Sequence, residues 1–230
     1  MASQGGDITT VKYVLSQNIA DINRGGKHQR TPVLMAAYYG NIEVFDFLVS
    51  KGGDVSSVDD KGDTILHVAC KGGHVEMVKH VLSKDIVDIN CRGRYGMPPV
   101  LEAAYYGHKE VFDLLVGKGG DVSSVDDTGD NILHAACEGG HIEIVKYVLS
   151  KDIVDINSRG GQRMTCVMKA AYYGHRKVFD LLAGAGGDVP RKGVNSTIRV
   201  ACRGRHLDMA KYVLSQHGVN ISSKRCRKKL

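Results

Sequence analysis

Apolar residues recur along this chain at helical spacing in short runs, as in IEVFDFLV at 42–49 and VEMVKHVL at 75–82. Runs of that length with that period predict amphipathic helices. Each is preceded by a shorter segment that opens on a capping residue, Thr31 before Pro32, Thr64 or Asn131. An oxygen there can accept from the unpaired N–H groups of a first helical turn, and proline suits the first helical position. Gly40, Gly73, Gly107, Gly140 and Gly174 separate the two segments, and Gly52, Gly119 and Gly186 can take the left-handed conformation that ends the second. The pattern predicts loop, helix, turn, helix, repeated.

The repetition is literal in places. GGDVSSVDD at 52–60 returns at 119–127, LSKDIVDIN at 82–90 returns at 149–157, and AAYYG stands at 36–40, 103–107 and 170–174, always at the same offset. Asp54, Asp88, Asp121, Asp155 and Asp188 halve that long period into nearly equal segments. Two kinds of half-unit, A and B, therefore alternate.

With that grammar in hand, DDKGDTILHVACKGGHVEMVKHVL at 59–82 and DDTGDNILHAACEGGHIEIVKYVL at 126–149 resemble the ankyrin repeat, with its T-P-L-H, A-A and G-H-x-E-V-V signatures. A half-unit of about 33 residues agrees with that family. The resemblance covers residues 7 to about 222 and implies an all-α solenoid of helix-turn-helix units with short β-hairpin or loop fingers. It gives one ankyrin-repeat domain over 1–223. An N-terminal half-repeat cap spans 7–23, internal repeats span 24–57, 58–90, 91–124, 125–157 and 158–191, and a C-terminal capping repeat spans 192–222. The opening half-repeat reads equally as a cut from a longer array. Pro98-Pro99, Thr165-Cys166, Gln29 and Arg199 depart from the family pattern and bear on local loop shape rather than on fold.

The resemblance also implies where a partner would sit: on a concave face lined by first helices and on the fingers. The concave positions before the helix-ending glycine are Tyr38-Tyr39, Tyr105-Tyr106 and Tyr172-Tyr173 in A units, and Lys71 and Glu138 in B units. Tyrosines are good anchors because they offer large amphipathic area at low entropic cost. The same rings could instead fill the space left by glycine in the next unit, and the sequence leaves both readings open. Lys27, His28 and Arg30, then Arg94 and Tyr95, fall in A fingers, while Asp60, Lys61 and Asp63, then Asp127 and Asp130, fall in B fingers. Alternating sign makes either a mildly self-complementary edge or a mixed-charge contact strip.

Composition narrows the chemistry. At 43% hydrophobic and 24% charged, the 230 residues have the make-up of an ordinary folded protein. No run approaches the ~18 apolar residues of a membrane span, and MASQGG has neither the basic nor the apolar region of a secretory signal. A cytoplasmic location is expected, with a nuclear one suggested by the basic tail at 224–230. Five of the six net positive charges are Lys224, Arg225, Arg227, Lys228 and Lys229, so the body is close to neutral. One short basic cluster gives little ground for nucleic-acid binding.

Cys70, Cys137 and Cys202 each precede a histidine by four positions, but a zinc site needs about four converging ligands. No metal or cofactor is expected, and the six cysteines read as reduced thiols. The chain has no G-x-S-x-G, H-E-x-x-H or Walker A motif, and GKGGD at 117–121 ends a helix instead of opening one. Asn195 and Asn220 match glycosylation acceptors that matter only on secretion. The function expected is non-catalytic binding of a protein or peptide by a monomer. The alternative is a structural spacer or an engineered array, since near-identical units are what a chain without one asymmetric ligand can retain.

Overall fold

The computed structural model describes residues 5–17, 21–190 and 196–216. The basic tail, His217, Cys226, Asn195, Asn220 and part of each terminal cap lie outside the described residues. Among those described, regular structure is entirely helical: α1 (Ile8–Ser16), α2 (Pro32–Tyr38), α3 (Ile42–Ser50), α4 (Ile65–Gly72), α5 (Val75–Ser83), α6 (Pro99–Tyr106), α7 (Lys109–Gly117), α8 (Ile132–Gly139), α9 (Ile142–Ser150), α10 (Cys166–Tyr172), α11 (Arg176–Gly184), α12 (Thr197–Arg203) and α13 (Leu207–Gln216). The chain divides into two compact units, Met1–Ile132 and Leu133–Leu230.

In the first unit the short helices pack in order, α2 on α4 and α4 on α6, and each is backed by the longer helix that follows it. α1 packs on α3, and α5 on α7. In the second unit α10 packs on α12, α11 and α13 back them, and α9 meets α11. A short helix in such a row is covered on several sides. Every residue of α4 from Ile65 to Lys71 is buried, including the lysine. The longer helices bury one stripe only, Val44, Phe45 and Leu48 in α3 and Val178, Phe179 and Leu182 in α11. Each such side chain withdrawn from water contributes roughly 1.5–3 kcal/mol.

Two glycines show how close the short helices come. A Cβ on Gly72 would run into the carbonyl oxygen of Tyr38, and one on Gly204 would run into that of Tyr172. Glycine in a B helix therefore admits the backbone of the tyrosine helix beside it, not a tyrosine ring. At Gly72 and Gly204 the rings therefore do not fill that space.

The polar ties follow the caps. Thr31 Oγ1 accepts from the Leu34 N–H at 3.4 Å. At α4 the Thr64 N–H donates to His67 Nδ1 at 3.3 Å, so the ring carries its proton on Nε2 and donates it to the Met97 carbonyl at 3.0 Å. His134 Nε2 meets the Met164 carbonyl in the same way at 3.1 Å. His108 and His175 stand before α7 and α11, and their Nε2 atoms satisfy the carbonyls of Lys71 at 3.0 Å and Glu138 at 2.9 Å. Those carbonyls belong to the last turns of α4 and α8, the short helices of the half-unit before, where the backbone has no helical partner of its own.

The fingers hold no strand among the described residues. They are tight turns, each closed by a backbone hydrogen bond such as Gly93 N to Met97 O at 3.1 Å or Asp59 N to Asp63 O at 3.1 Å. The A fingers place a residue other than glycine in left-handed backbone at the tip: His28 at φ 60°, Tyr95 at 56° and Gln162 at 55°.

Candidate functional site

Of the residues singled out along the sequence, one group meets solvent and another is buried in ionic contacts. Lys71, on the last turn of α4, reaches Asp63 of the preceding finger through a short contact and Glu102 of α6 at 3.0 Å. All three side chains are buried. Asp63 also accepts the Arg94 N–H at 3.0 Å, which ties the base of the next finger to the same cluster.

One cation thus serves two carboxylates out of water, and the three groups respond differently. Burial works to raise the Asp63 pKa, but the Lys71 ammonium and the Arg94 N–H outweigh it and leave the carboxyl below its ordinary value. For Lys71, burial pulls the pKa down and Glu102 with Asp63 pulls it up, and the net direction is up. Glu102 is pushed up to about 7, chiefly by burial, with the Lys71 charge offsetting only part of it. Asp63 is therefore the standing anion, and Glu102 is the group that takes or gives a proton.

The second unit carries the corresponding pair with the signs exchanged. Glu138 holds the place on the last turn of α8 that Lys71 holds on α4, and Lys169 holds the place in α10 that Glu102 holds in α6. Their charged ends meet at 2.8 Å. Glu138 keeps 20% of its side-chain surface exposed and also accepts the Tyr173 hydroxyl at 2.5 Å. Neither Glu102 nor Lys169 stood out in the sequence. The clue was a position that reads Met35, Glu102 and Lys169 in three otherwise matching helices, with Lys71 and Glu138 as the compensating partners.

The tyrosine pairs share one internal geometry, edge to face with ring centroids 5.0, 5.1 and 4.9 Å apart for 38/39, 105/106 and 172/173. Their surroundings differ. Arg30 lies over the Tyr38 ring at 5.0 Å. Tyr106 stacks alongside His108 at 6.4 Å, is 40% exposed, and its hydroxyl makes no hydrogen bond among the described residues. Tyr173 stacks likewise on His175, but its hydroxyl is held by Glu138.

Neighbouring fingers touch one another. The Asp60 N–H donates to the His28 carbonyl at 2.9 Å, and the Asp60 carboxylate meets His28 Nδ1 at 3.2 Å. Arg30 Nε meets Asp59 at 3.2 Å, and the Asp127 N–H donates to the Tyr95 carbonyl at 2.8 Å. The exposed His28–Asp60 pair contributes about 0–1 kcal/mol, whereas Asp59 in the Arg30 pair is buried. Lys27, Asp60, Lys61 and Asp127 are exposed, whereas Asp63 and Asp130 are buried.

Tyr95 is 60% exposed at its fingertip. The Arg94 guanidinium lies 4.4 Å from the ring centroid and donates to the Tyr95 hydroxyl at 2.8 Å, which draws the phenol pKa below its usual value. Among the described residues that guanidinium meets no carboxylate. The exposed Tyr95 and Tyr106 and the half-buried Arg94 thus stand beside the buried Asp63–Lys71–Glu102 cluster, which holds the Arg94 N–H and lies one helical turn before Tyr106.

Among the described residues no group of three or more His, Cys, Asp and Glu side chains is arranged to hold a metal ion. Cys70, Cys137 and Cys166 are buried, and burial raises the thiol pKa of Cys70 and Cys137 well above the usual value. No described helix is long and apolar enough to cross a membrane.

Comparison with known proteins adds the last observation. Residues 1–93, 34–126 and 100–193 match the family model described as Ankyrin repeats (3 copies). The chain is 30% identical over 152 residues to Palmitoyltransferase AKR1 of Lachancea kluyveri, a match covering 64% of this chain and 20% of that protein. It is 30% identical over 161 residues to Rabankyrin-5 of Mus musculus, covering 68% of this chain and 14% of the relative. To the transient receptor potential cation channel subfamily A member 1 homolog of Caenorhabditis elegans it is 25% identical over 195 residues, covering 84% of this chain and 16% of the channel. The chain therefore spans a fifth or less of the length of each of these relatives.

Proposed function

Because the chain belongs to the ankyrin-repeat family, we propose that it is a non-catalytic module that binds a protein or peptide partner as a monomer, anchored by Arg94, Tyr95 and Tyr106. The observation that carries this reading is the fingertip itself. A bulky residue held at φ 56° is uncommon and strained, and here the strained residue is an exposed tyrosine gripped by its neighbouring arginine. Tyrosine and arginine are the side chains that most often carry binding energy at protein interfaces. The rigid ionic cluster beneath them fixes their positions before any partner arrives, which lowers the entropy lost on binding.

The other positions take secondary parts. Lys27, His28, Arg30, Asp60 and Asp127 form a polar rim, and Tyr38, Tyr39 and Tyr105 extend the contact along the first-helix face. A specific complex would bury about 800 Å² on each side. Lys71, Asp63, Asp130 and Glu138 act from beneath as supports. The transferase and channel activities in the relatives' names belong to proteins of which this chain matches only 20% and 16%.

Capture of a partner on the immobilised chain, identification by mass spectrometry and a titration of the purified pair test the reading. The double variant Tyr95→Ala with Tyr106→Ala is expected to bind about 30-fold or more weakly, as loss of hot-spot side chains implies. Unchanged affinity in a folded variant would refute the anchor. Absence of any saturable partner would favour the spacer.

A further inference from the structure

We infer that the two oppositely oriented Lys–Glu pairs set the order in which the duplicated helices stack, so that each B helix accepts its own A helix and rejects the near-copy one long period away. The hazard they answer is built into the sequence. α4 and α8 read ILHVACKG and ILHAACEG, and α6 and α10 share the AAYY segment, so apolar matching alone scarcely distinguishes α6 from α10 as the neighbour of α4. A chain that skipped one whole A-B unit, or borrowed the wrong unit from a second copy, would satisfy almost every apolar contact.

The charges break that degeneracy. In native stacking Lys71 meets Glu102 at 3.0 Å and Glu138 meets Lys169 at 2.8 Å. With α10 in the place of α6, Lys71 would face Lys169. With α6 in the place of α10, Glu138 would face Glu102. Above about pH 7, where Glu102 carries its charge, each error exchanges an ion pair for a contact between like charges and disfavours the wrong neighbour by roughly tenfold or more. A buried polar group that fixes register is the best attested use of such groups, and here one sequence carries both halves of the discrimination.

The test depends on parity rather than on stability. Because Lys71 also meets buried Asp63, every protein compared, the starting protein included, carries Asp63→Asn, and on that background two variants of the full chain make the pairs alike: Lys71→Glu with Glu102→Lys, and Glu138→Lys with Lys169→Glu. Combining all four substitutions inverts both pairs and restores the difference between them. Each protein is unfolded in denaturant, refolded across a range of protein concentrations, and its compact monomer measured by size-exclusion chromatography with light scattering.

Relative to the starting protein, the two like-paired variants are expected to lose compact monomer and gain oligomer about tenfold or more as concentration rises. The four-fold variant is expected to refold as the starting protein does. Like-paired variants that refold normally would overturn the inference. So would a four-fold variant that fails alongside them, because the damage would then be local to each pair.

Discussion

AAYYG closes a short helix at 103–107 in one unit and at 170–174 in the other, yet its second tyrosine stands in two different situations. Tyr106 is 40% exposed and its hydroxyl makes no hydrogen bond among the described residues, while the hydroxyl of Tyr173 is fixed to Glu138 at 2.5 Å. The five letters are the same, but the residue before them is Glu102 in one helix and Lys169 in the other. The residue on the last turn of the preceding B helix differs with it. Lys71 turns its charge inward to Asp63 and Glu102 and makes no hydrogen bond to the tyrosine among the described residues, whereas Glu138 accepts from both Lys169 and the tyrosine. One exchanged ion pair converts a candidate binding residue into an internal tie, which is why identical motifs do not imply identical roles.

Removing the cation should break the two clusters unequally. Lys71→Ala leaves two buried carboxylates without a counter-charge and is expected to lower stability by about 3–5 kcal/mol. Lys169→Ala leaves a glutamate that reaches solvent and retains its tyrosine donor, and about 2 kcal/mol is expected. Denaturant midpoints decide this, and equal losses would erase the asymmetry.

A pH series sharpens it further. Glu102 binds its proton more tightly folded than unfolded, with a pKa of about 7 against 4.5. The stability it contributes is therefore complete below about pH 4.5 and is lost as the pH rises through 7. Compared with Glu102→Gln, which cannot titrate there, the starting protein should lose up to roughly 3 kcal/mol across that window. His67, whose pKa burial lowers, acts in the opposite sense in both proteins and drops out of the difference. A difference that stayed flat from pH 4.5 to 7 would contradict the buried, ionisable Glu102.

The finest comparison removes single oxygen atoms. Tyr173→Phe deletes a hydrogen bond to a carboxylate and should cost about 1.5–3 kcal/mol, whereas Tyr106→Phe should change stability by less than about 0.5 kcal/mol. Thermal unfolding of the two variants side by side reads the contrast.

Most of the architecture was legible in advance because a repeating unit must bury the same stripe each time. Glycine spacing, the Thr and Pro caps and the helical period located α2 to α12 closely. Of the two finger forms expected, the loop is the one found, closed as tight turns because A tips such as His28 and Tyr95 adopt left-handed backbone that no strand continues. The site was legible in part. Tyr95, Arg94 and Tyr106 belong to types and positions that announce themselves, but Lys71 and Asp63 looked like surface charges. Their burial arises because short helices in a row are covered on several sides, a property of the stack and not of any local segment. Glu102 and Lys169 were missed because each reads as an isolated polar letter in an apolar helix until its partner on the preceding B helix is considered.

Parallel measurement of partner affinity and folding stability for Tyr106→Ala and Tyr173→Ala tests the division of labour most directly. A crossed result is expected: Tyr106→Ala weakens binding about tenfold or more with little loss of stability, and Tyr173→Ala destabilises the fold while affinity holds. The same outcome for both residues, or the reverse assignment, would contradict it.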